Sequence, residues 1–336
     1  MKKSILSMLL CFCVMRLAVA AGAEEGIRTV VQRLEQNYGI SGGDYALLST
    51  GAEFAQVGNE NSEIAEYIGA GGESALNFGE DIGAEVQELS FLSELSIRND
   101  SARTVDVDAL LREGPSLSLS GDEVQILIIH THGSEAYTQS PENRYEESDP
   151  YRTEDKTKNV VKVGDVLAET FEKKGLGVIH DREIYDYPSY TGSYSRSGSA
   201  VEDYLKKYPG IKVVIDLHRD ALGSGDTVYK TRAEASLGEC AQVMLLIGTG
   251  DKGLYHPAWE ENLRLALYLQ NALEQRYPGL SRPLALKSER YNQHLSTGSM
   301  IIEVGSTGNT LPEALRAIEL FGDAAGDALK KLVVEE

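Results

Sequence analysis

Residues 211–218 read IKVVIDLH, and residues 124–130 read VQILIIH. Both are short runs of consecutive apolar positions that stop on a histidine. A strand covered on both faces of a sheet needs apolar side chains at successive positions, not at every second one. These two runs therefore predict buried strands, and what lies between and after them predicts their setting. VVKVGDVLAETFEKKG (160–175) has the apolar spacing of a helix and stops at Gly175, in a C-cap position. GLGVIHD (175–181) reads as a strand, and AVEDYLKKYPG (200–210) as a helix closed by Pro and Gly. AQVMLLIGTG (241–250) is a strand, and WEENLRLALYLQNALEQRYPG (259–279) a long amphipathic helix. GSMIIEVGS (298–306) is a strand, and LPEALRAIELFGDAAGDALKKLV (311–333) a final helix. Strands alternating with helices predict an α/β domain around a mostly parallel sheet.

The region upstream has another character. Between Ala21 and Asp122 the chain is acidic and rich in Gly, Ser and Asn, as in GNENSEIAEYIGAGGESALNFGEDIG (58–83). Such a composition buries too little apolar surface to repay ordering, and it reads as a low-order acidic spacer over 21–122. Short helices are expected at IRTVVQRLEQNYGI (27–40) and near Val86 to Leu95, with REGPSLSLSGDE (112–123) as the last linker. The folded domain is expected from 123 to 336.

Residues 1–20 read as an export signal or membrane anchor. Lys2 and Lys3 precede an apolar run from Ile5 to Met15, and Ala18-x-Ala20 offers a cleavage site before Ala21. The run is shorter than the roughly 20 residues of a comfortable span, and Arg16 interrupts it. Export is the expectation, with the chain free outside the membrane or held to it by its N-terminus. Two of the three cysteines, Cys11 and Cys13, lie in this leader, so the remainder holds only Cys240 and cannot be stapled by internal disulfides. The formal net charge of −20 excludes a nucleic-acid binder, because a phosphate backbone selects Lys and Arg.

Ligand sites in α/β sheets lie outside the carboxyl ends of the strands. Three predicted strands carry unusual polar residues there. The first runs into His130-Thr-His132-Gly-Ser-Glu135, the second ends Asp216-Leu-His218-Arg219-Asp220, and the last contains Glu303 within MIIEVG. Burying a carboxylate without a partner is costly, so Glu303 asks for one. Imidazole and carboxylate groups converging from three strands suit Zn2+, which leaves a position to water in catalytic sites. His132, Glu135 and His218 are the expected ligands, His132 and Glu135 sharing one local turn. Glu303 is the expected general base for a water activated by the ion. His130 competes with His132 for the first position; His132 is preferred for its pairing with Glu135, and the two imidazoles are expected to face apart. His130, Arg219 and His294 are candidates to back the ligands or meet substrate, and Arg219 is expected to pair with Asp220. His180 and His256 are read as structural. The tyrosine-rich YDYPSYTGSY (185–194) is a candidate wall of the cleft.

Six blocks, HTHGSEAY, NVVKVG, YTGSYSRS, VVIDLHRDA, HPAWEENLRLALYLQ and YNQHLSTGSMIIEVGSTGNTLPEA, resemble in that order the stage II sporulation protein P family, over essentially all of the chain from Glu123. The resemblance implies a single domain of the amidase and zinc-carboxypeptidase type. It implies a zinc-dependent N-acetylmuramoyl-L-alanine amidase acting on peptidoglycan during forespore engulfment. It also implies cleavage of stem-peptide cross-links by some members, an N-terminal membrane anchor, and the lytic transglycosylase stage II sporulation protein D as partner. Related amidases use a His, Glu, His zinc set and a late catalytic Glu, which map to His132, Glu135, His218 and Glu303. Glu154 is the alternative carboxylate ligand. An endopeptidase on stem-peptide cross-links and a non-catalytic wall-binding scaffold remain alternative functions.

Overall fold

The computed structural model describes residues 85–89, 95–121, 123–224, 227–235 and 238–334. The expected leader and the helix at 27–40 lie outside these residues. No described helix is long and apolar enough to cross a membrane.

Seven strands form the central sheet: β1 (Ile97–Asn99), β2 (Ile126–Ile129), β3 (Val178–His180), β4 (Val213–Asp220), β5 (Val243–Gly248), β6 (Leu284–Lys287) and β7 (Gly298–Ser306). Their order is β1-β6-β5-β7-β4-β2-β3. All neighbours run parallel except β5 and β7, where Met244 pairs with Glu303 in antiparallel register. The expected mostly parallel sheet is thus two parallel blocks joined at one antiparallel seam.

Period-two alternation decides which side chains each face receives. Val213, Ile215 and Leu217 of β4 enter the main core with Met300, Ile302 and Val304 of β7. That core is closed by helices α2 (Val160–Lys173), α4 (Trp259–Arg276) and α5 (Leu311–Lys330). Val214 instead joins Leu127, Ile129 and Val201 under α3 (Ser193–Lys207) on the opposite face. Asp216, His218 and Asp220 share the face of Val214, and Glu303 shares that of Ile301, which packs with Met244, Leu246 and Ala285. The sheet therefore segregates its apolar and polar alternates across β4 and β7.

Helix ends follow local chemistry. Asn159 caps α2 by accepting from Val161 N at 3.0 Å, and Gly175 follows its end at φ +82°, a conformation that glycine adopts without strain. Glu313 accepts from Thr310 N at 2.8 Å to open α5. Helix α3 begins at Ser193, seven residues before the expected start, because its polar first turn is held by tertiary contacts: Arg196 Nε donates to Tyr185 O at 2.7 Å.

Two upstream expectations are corrected. Glu85–Leu89, expected to be helical, is a strand parallel to Thr227–Thr231; sheet pairing overrides the local periodicity there. The stretch 95–121, assigned to the spacer on composition, is ordered with the sheet. Ile97 pairs with Leu284, helix α1 (Val107–Glu113) buries Leu110, and Leu119 is fully buried where it pairs with Val333. A few apolar residues at tertiary contacts are enough to order an otherwise polar segment.

Candidate metal centre and catalytic cleft

The site grows out of the carboxyl ends of β2, β4 and β7. Extended backbone would put His130 and His132 on one face; the turn at 131–134 separates them. His130 points into the helix-covered face. Its Nδ1 donates to Leu217 O at 2.9 Å, which leaves Nε2 to accept from His180 Nε2 at 2.8 Å. His180 Nδ1 lies 3.2 Å from Asp165 of α2. Gly164 makes room for this pair: a Cβ there would stand 2.5 Å from His180 Nε2 and 2.7 Å from His130 Nε2. Burial and the neighbouring His180 push His130 down to about 3. His130 is thus a support beneath β4, bonded to the carbonyl of the residue preceding His218.

His132 packs among aromatic rings. Tyr190 stacks on its ring at 4.4 Å and 10°, Tyr194 meets it edge-on at 5.5 Å, and the His218 ring stands 5.3 Å away and nearly perpendicular. Burial drives its pKa down to about 3 against the attraction of Glu135. It is therefore a neutral imidazole at pH 7, the form that binds a metal. Its Nδ1 is buried without a hydrogen-bond partner, 3.9 Å from Asp186 Oδ2.

Glu135 accepts from Arg219 N at 3.2 Å and from Arg152 Nη2 at 3.4 Å, and its Oε2 lies 3.4 Å from His218 Nδ1. Burial alone would raise its pKa, but the His218 contact and the two arginines hold it well below the usual range. His218 Nε2 lies 2.9 Å from Asp216 Oδ1 with its N–H aimed off the oxygen, an ionic rather than a well-aligned contact. Burial opposes charge on His218, yet Asp216 and Glu135 win and raise its pKa well above the ordinary value.

Glu303 is the direct cross-strand neighbour of His218. Its Oε2 is buried and unpartnered. Burial, then the nearby Asp220 and Glu135 charges, push its pKa up to about 8 against the pull of His218 and Arg282. His132, Glu135 and Glu303 thus gather around His218.

The other candidates go elsewhere. The expected Arg219–Asp220 pair is replaced by Arg282–Asp220 at 2.5 Å, both buried. Arg219 turns back instead: Nε donates to Ala136 O at 2.9 Å and Nη2 to Tyr151 O at 3.2 Å. A guanidinium committed to carbonyls clamps the Glu135 loop and has little left for substrate. His294, in the short 3-10 turn before β7, neighbours His256 at 6.5 Å and lies toward the opposite end of the sheet. Glu154 is exposed beside the Tyr187 hydroxyl.

Sequence reasoning gave no role to Asp216, Asp186 or Arg152. Asp216 sits two residues before His218 on a strand, so alternation alone places both on one face. Asp186 accepts from Ser134 Oγ at 2.6 Å and pairs with Arg152, whose guanidinium lies 5.1 Å over the Tyr190 ring. No local pattern announces Asp186 or Arg152, because they meet only through the fold; Tyr190 belongs to the tyrosine-rich stretch expected to wall the site.

Zinc takes imidazole nitrogen and carboxylate oxygen, the donor types gathered here. As they stand, no three His, Cys, Asp or Glu side chains among the described residues close around one point. The Glu135–His218 contact occupies that place. Its 3.4 Å is about the edge of a tetrahedron built on bonds of about 2.0–2.1 Å. His132 Nδ1 and Glu303 Oε2, buried and unpartnered, are in the state of groups awaiting a partner from outside the chain. The donor types fit zinc, and His132, Glu135 and His218 are the residues that would hold it.

Fold and cleft together define an α/β protein with a convergent His–Glu–His set at its strand ends. Residues 59–325 match the profile of the family described as Stage II sporulation protein P (SpoIIP). That match takes in most of the chain, and the chain belongs to the stage II sporulation protein P family. The family member of Bacillus subtilis (strain 168) is 28% identical over 223 residues, 63% of this chain and 53% of that protein. The chain thus spans about half the length of that relative. Among solved structures, it is similar to the N-acetylmuramoyl-L-alanine amidase AmiC2 of Nostoc punctiforme, with 12% identity and a TM-score of 0.35 over 62% of this chain and 96% of that one. It is also similar to the CwlD amidase of Clostridioides difficile, solved with the GerS lipoprotein. There the identity is 13% and the TM-score 0.38, over 62% of this chain and 98% of that one.

Proposed function

We propose that this protein is a zinc-dependent peptidoglycan hydrolase that cuts the amide between N-acetylmuramic acid and the L-alanine of the stem peptide. The observation that carries the reading is the register of β7 against β4. It sets Glu303, with an unpartnered buried oxygen, directly beside His218 and within the field of Glu135. Membership of a sporulation family supports a setting in forespore engulfment. The export signal read at residues 1–20 supports work outside the membrane, with the N-terminus as an anchor and stage II sporulation protein D as the partner that opens the glycan.

His132, Glu135 and His218 would hold the ion. When bound, zinc supplies Lewis acidity toward the scissile carbonyl and acidity to a water. Glu303, beside His218 with a free buried Oε2, is the group placed to take up a proton in the cleft and return it to the departing amine of L-alanine. Arg219 and Arg152 fix Glu135, so the ligand loop is set before substrate arrives. Tyr190 and Tyr194 wall the cleft over His132 and exclude water from it.

Digestion of purified peptidoglycan tests the reading. The amidase releases peptides with free L-alanine amino termini and leaves bare glycan, whereas an endopeptidase leaves that amide intact. Glu303→Gln is expected to keep zinc and wall binding and to lose turnover by about 100-fold or more. Full-rate digestion by that variant would remove Glu303 from the mechanism, and wall binding without digestion by the native chain would make it a scaffold.

A further inference from the structure

Behind His218 runs a file of polar side chains whose donors all point one way. Asn292 Nδ2 donates to Tyr194 O at 2.8 Å and to Ser197 Oγ at 3.0 Å. A carbonyl only accepts, so the first contact fixes the amide with its nitrogen toward α3, and the second makes Ser197 Oγ an acceptor. The Ser197 hydroxyl must then send its own proton onward. Thr131 Oγ1 lies 2.7 Å away, while the alternative at Tyr194 O is a poorer 3.4 Å. Thr131 Oγ1 donates in turn to Asp216 Oδ2 at 2.6 Å, and Thr131 N donates to Asp216 Oδ1 at 2.7 Å. Asp216 ends the file against His218 Nε2, 2.9 Å away.

The file is built in. Asn292 comes from the turn after β6, Ser197 from α3, Thr131 from the end of β2 and Asp216 from β4, so four separate segments are cut to meet. Gly198 gives Asn292 its seat: a Cβ there would stand 2.8 Å from Asn292 Oδ1. Thr131 and Ser197 are buried, and Asp216 is 8% exposed.

We infer that Thr131, Ser197 and Asn292 are positioning residues for the metal centre: their one-way file fixes the Asp216 carboxylate 2.9 Å from His218 Nε2, so that its charge braces this edge of the ring and Nδ1 is left to the zinc. Hydrogen bonds in a chain polarise one another, so the far members contribute through the near ones. Carboxylate partners of ligating histidines tune metal affinity by about 10–100-fold. The inference rests on the zinc reading above and extends it three residues outward.

The test measures the zinc dissociation constant of the full chain by chelator competition, with Zn2+ alone as the probe and the melting temperature of the zinc-free protein as a folding control. Thr131→Val keeps the shape and removes the donor; Thr131→Ser keeps the donor. Ser197→Ala breaks the file one step further out and stands in should Thr131→Val fail to fold. Zinc binding about 10-fold weaker in Thr131→Val, weaker by a smaller factor in Ser197→Ala, and within about 2-fold of native in Thr131→Ser supports the inference. A native chain that binds zinc beside folded Val and Ala variants that bind it equally well overturns the file while leaving the zinc reading intact. A native chain that binds no zinc overturns the zinc reading itself.

Discussion

Alanine in place of glycine inside a helix ordinarily stabilises a protein by about 1 kcal/mol, because glycine carries the larger entropy of the unfolded chain. Gly164→Ala is expected to do the opposite. Gly164 sits buried in α2, and its added methyl would stand 2.5 Å from His180 Nε2, 2.7 Å from His130 Nε2 and 2.9 Å from His130 Cε1. His130 is fixed at its far side by Leu217 O, and His180 is walled by Asp165, 3.2 Å from its Nδ1. The clash must therefore break the 2.8 Å bond between them. Overpacking costs about 1–3 kcal/mol, and leaving His130 Nε2 buried without a partner costs about 1–3 kcal/mol more. Subtracting the helix gain leaves a net loss of about 1–5 kcal/mol. Urea unfolding of the zinc-free protein at pH 7 measures it. The same change in a His180→Ala background should cost less, since one of the two obstructing rings is gone, and the difference is the coupling energy. A Gly164→Ala variant as stable as the native chain, or more stable, would refute the buried imidazole pair.

Three further outcomes follow from the geometry. His130 and His132 both titrate near 3 when folded against about 6.5 unfolded, so the unfolded chain takes up protons first as pH falls. Their stabilisation is complete above about pH 6.5 and is lost as pH falls toward 3. His218, raised instead, gives a little back over the upper part of that window. His180 and His256, held near 4, add to the loss, and Glu303, held near 8, offsets part of it, so the zinc-free protein should lose about 3–5 kcal/mol between pH 7 and 5 by chemical denaturation; a flat profile would contradict the burial of these rings. Arg282→Ala strands the buried Asp220 and should cost about 3–5 kcal/mol, part of which Asp220→Asn restores in the double variant. Arg219→Lys loses the fork that spans Ala136 O and Tyr151 O and should lower stability by about 1–3 kcal/mol; unchanged unfolding would show the clamp to be idle.

The strands were readable because parallel strands buried on both faces need unbroken apolar runs, and GSMIIEVGS coincides with β7 from end to end. That His132, Glu135 and Glu303 lie near His218 follows from where their strands end. What stayed hidden was contact made only by folding. Glu85–Leu89 is extended because Thr227–Thr231 lies beside it, and Ile97–Asn99 is ordered because β6 offers an edge. Arg219 and Asp220 are adjacent in sequence, yet on a strand adjacent side chains face apart, so each found a partner elsewhere. The roles of Thr131, Ser197 and Asn292 depend on which atom donates to which, and residue spacing does not encode that.

The central claim, a zinc ion held by His132, Glu135 and His218 beside Glu303, is tested most directly by metal content and amide cleavage in one preparation, assayed native, after chelation and after zinc is restored. The account predicts about one zinc per active chain, free L-alanine amino termini from purified peptidoglycan, loss of both on chelation and recovery of both with zinc. Undiminished release of those termini from a chain stripped of metal would contradict it.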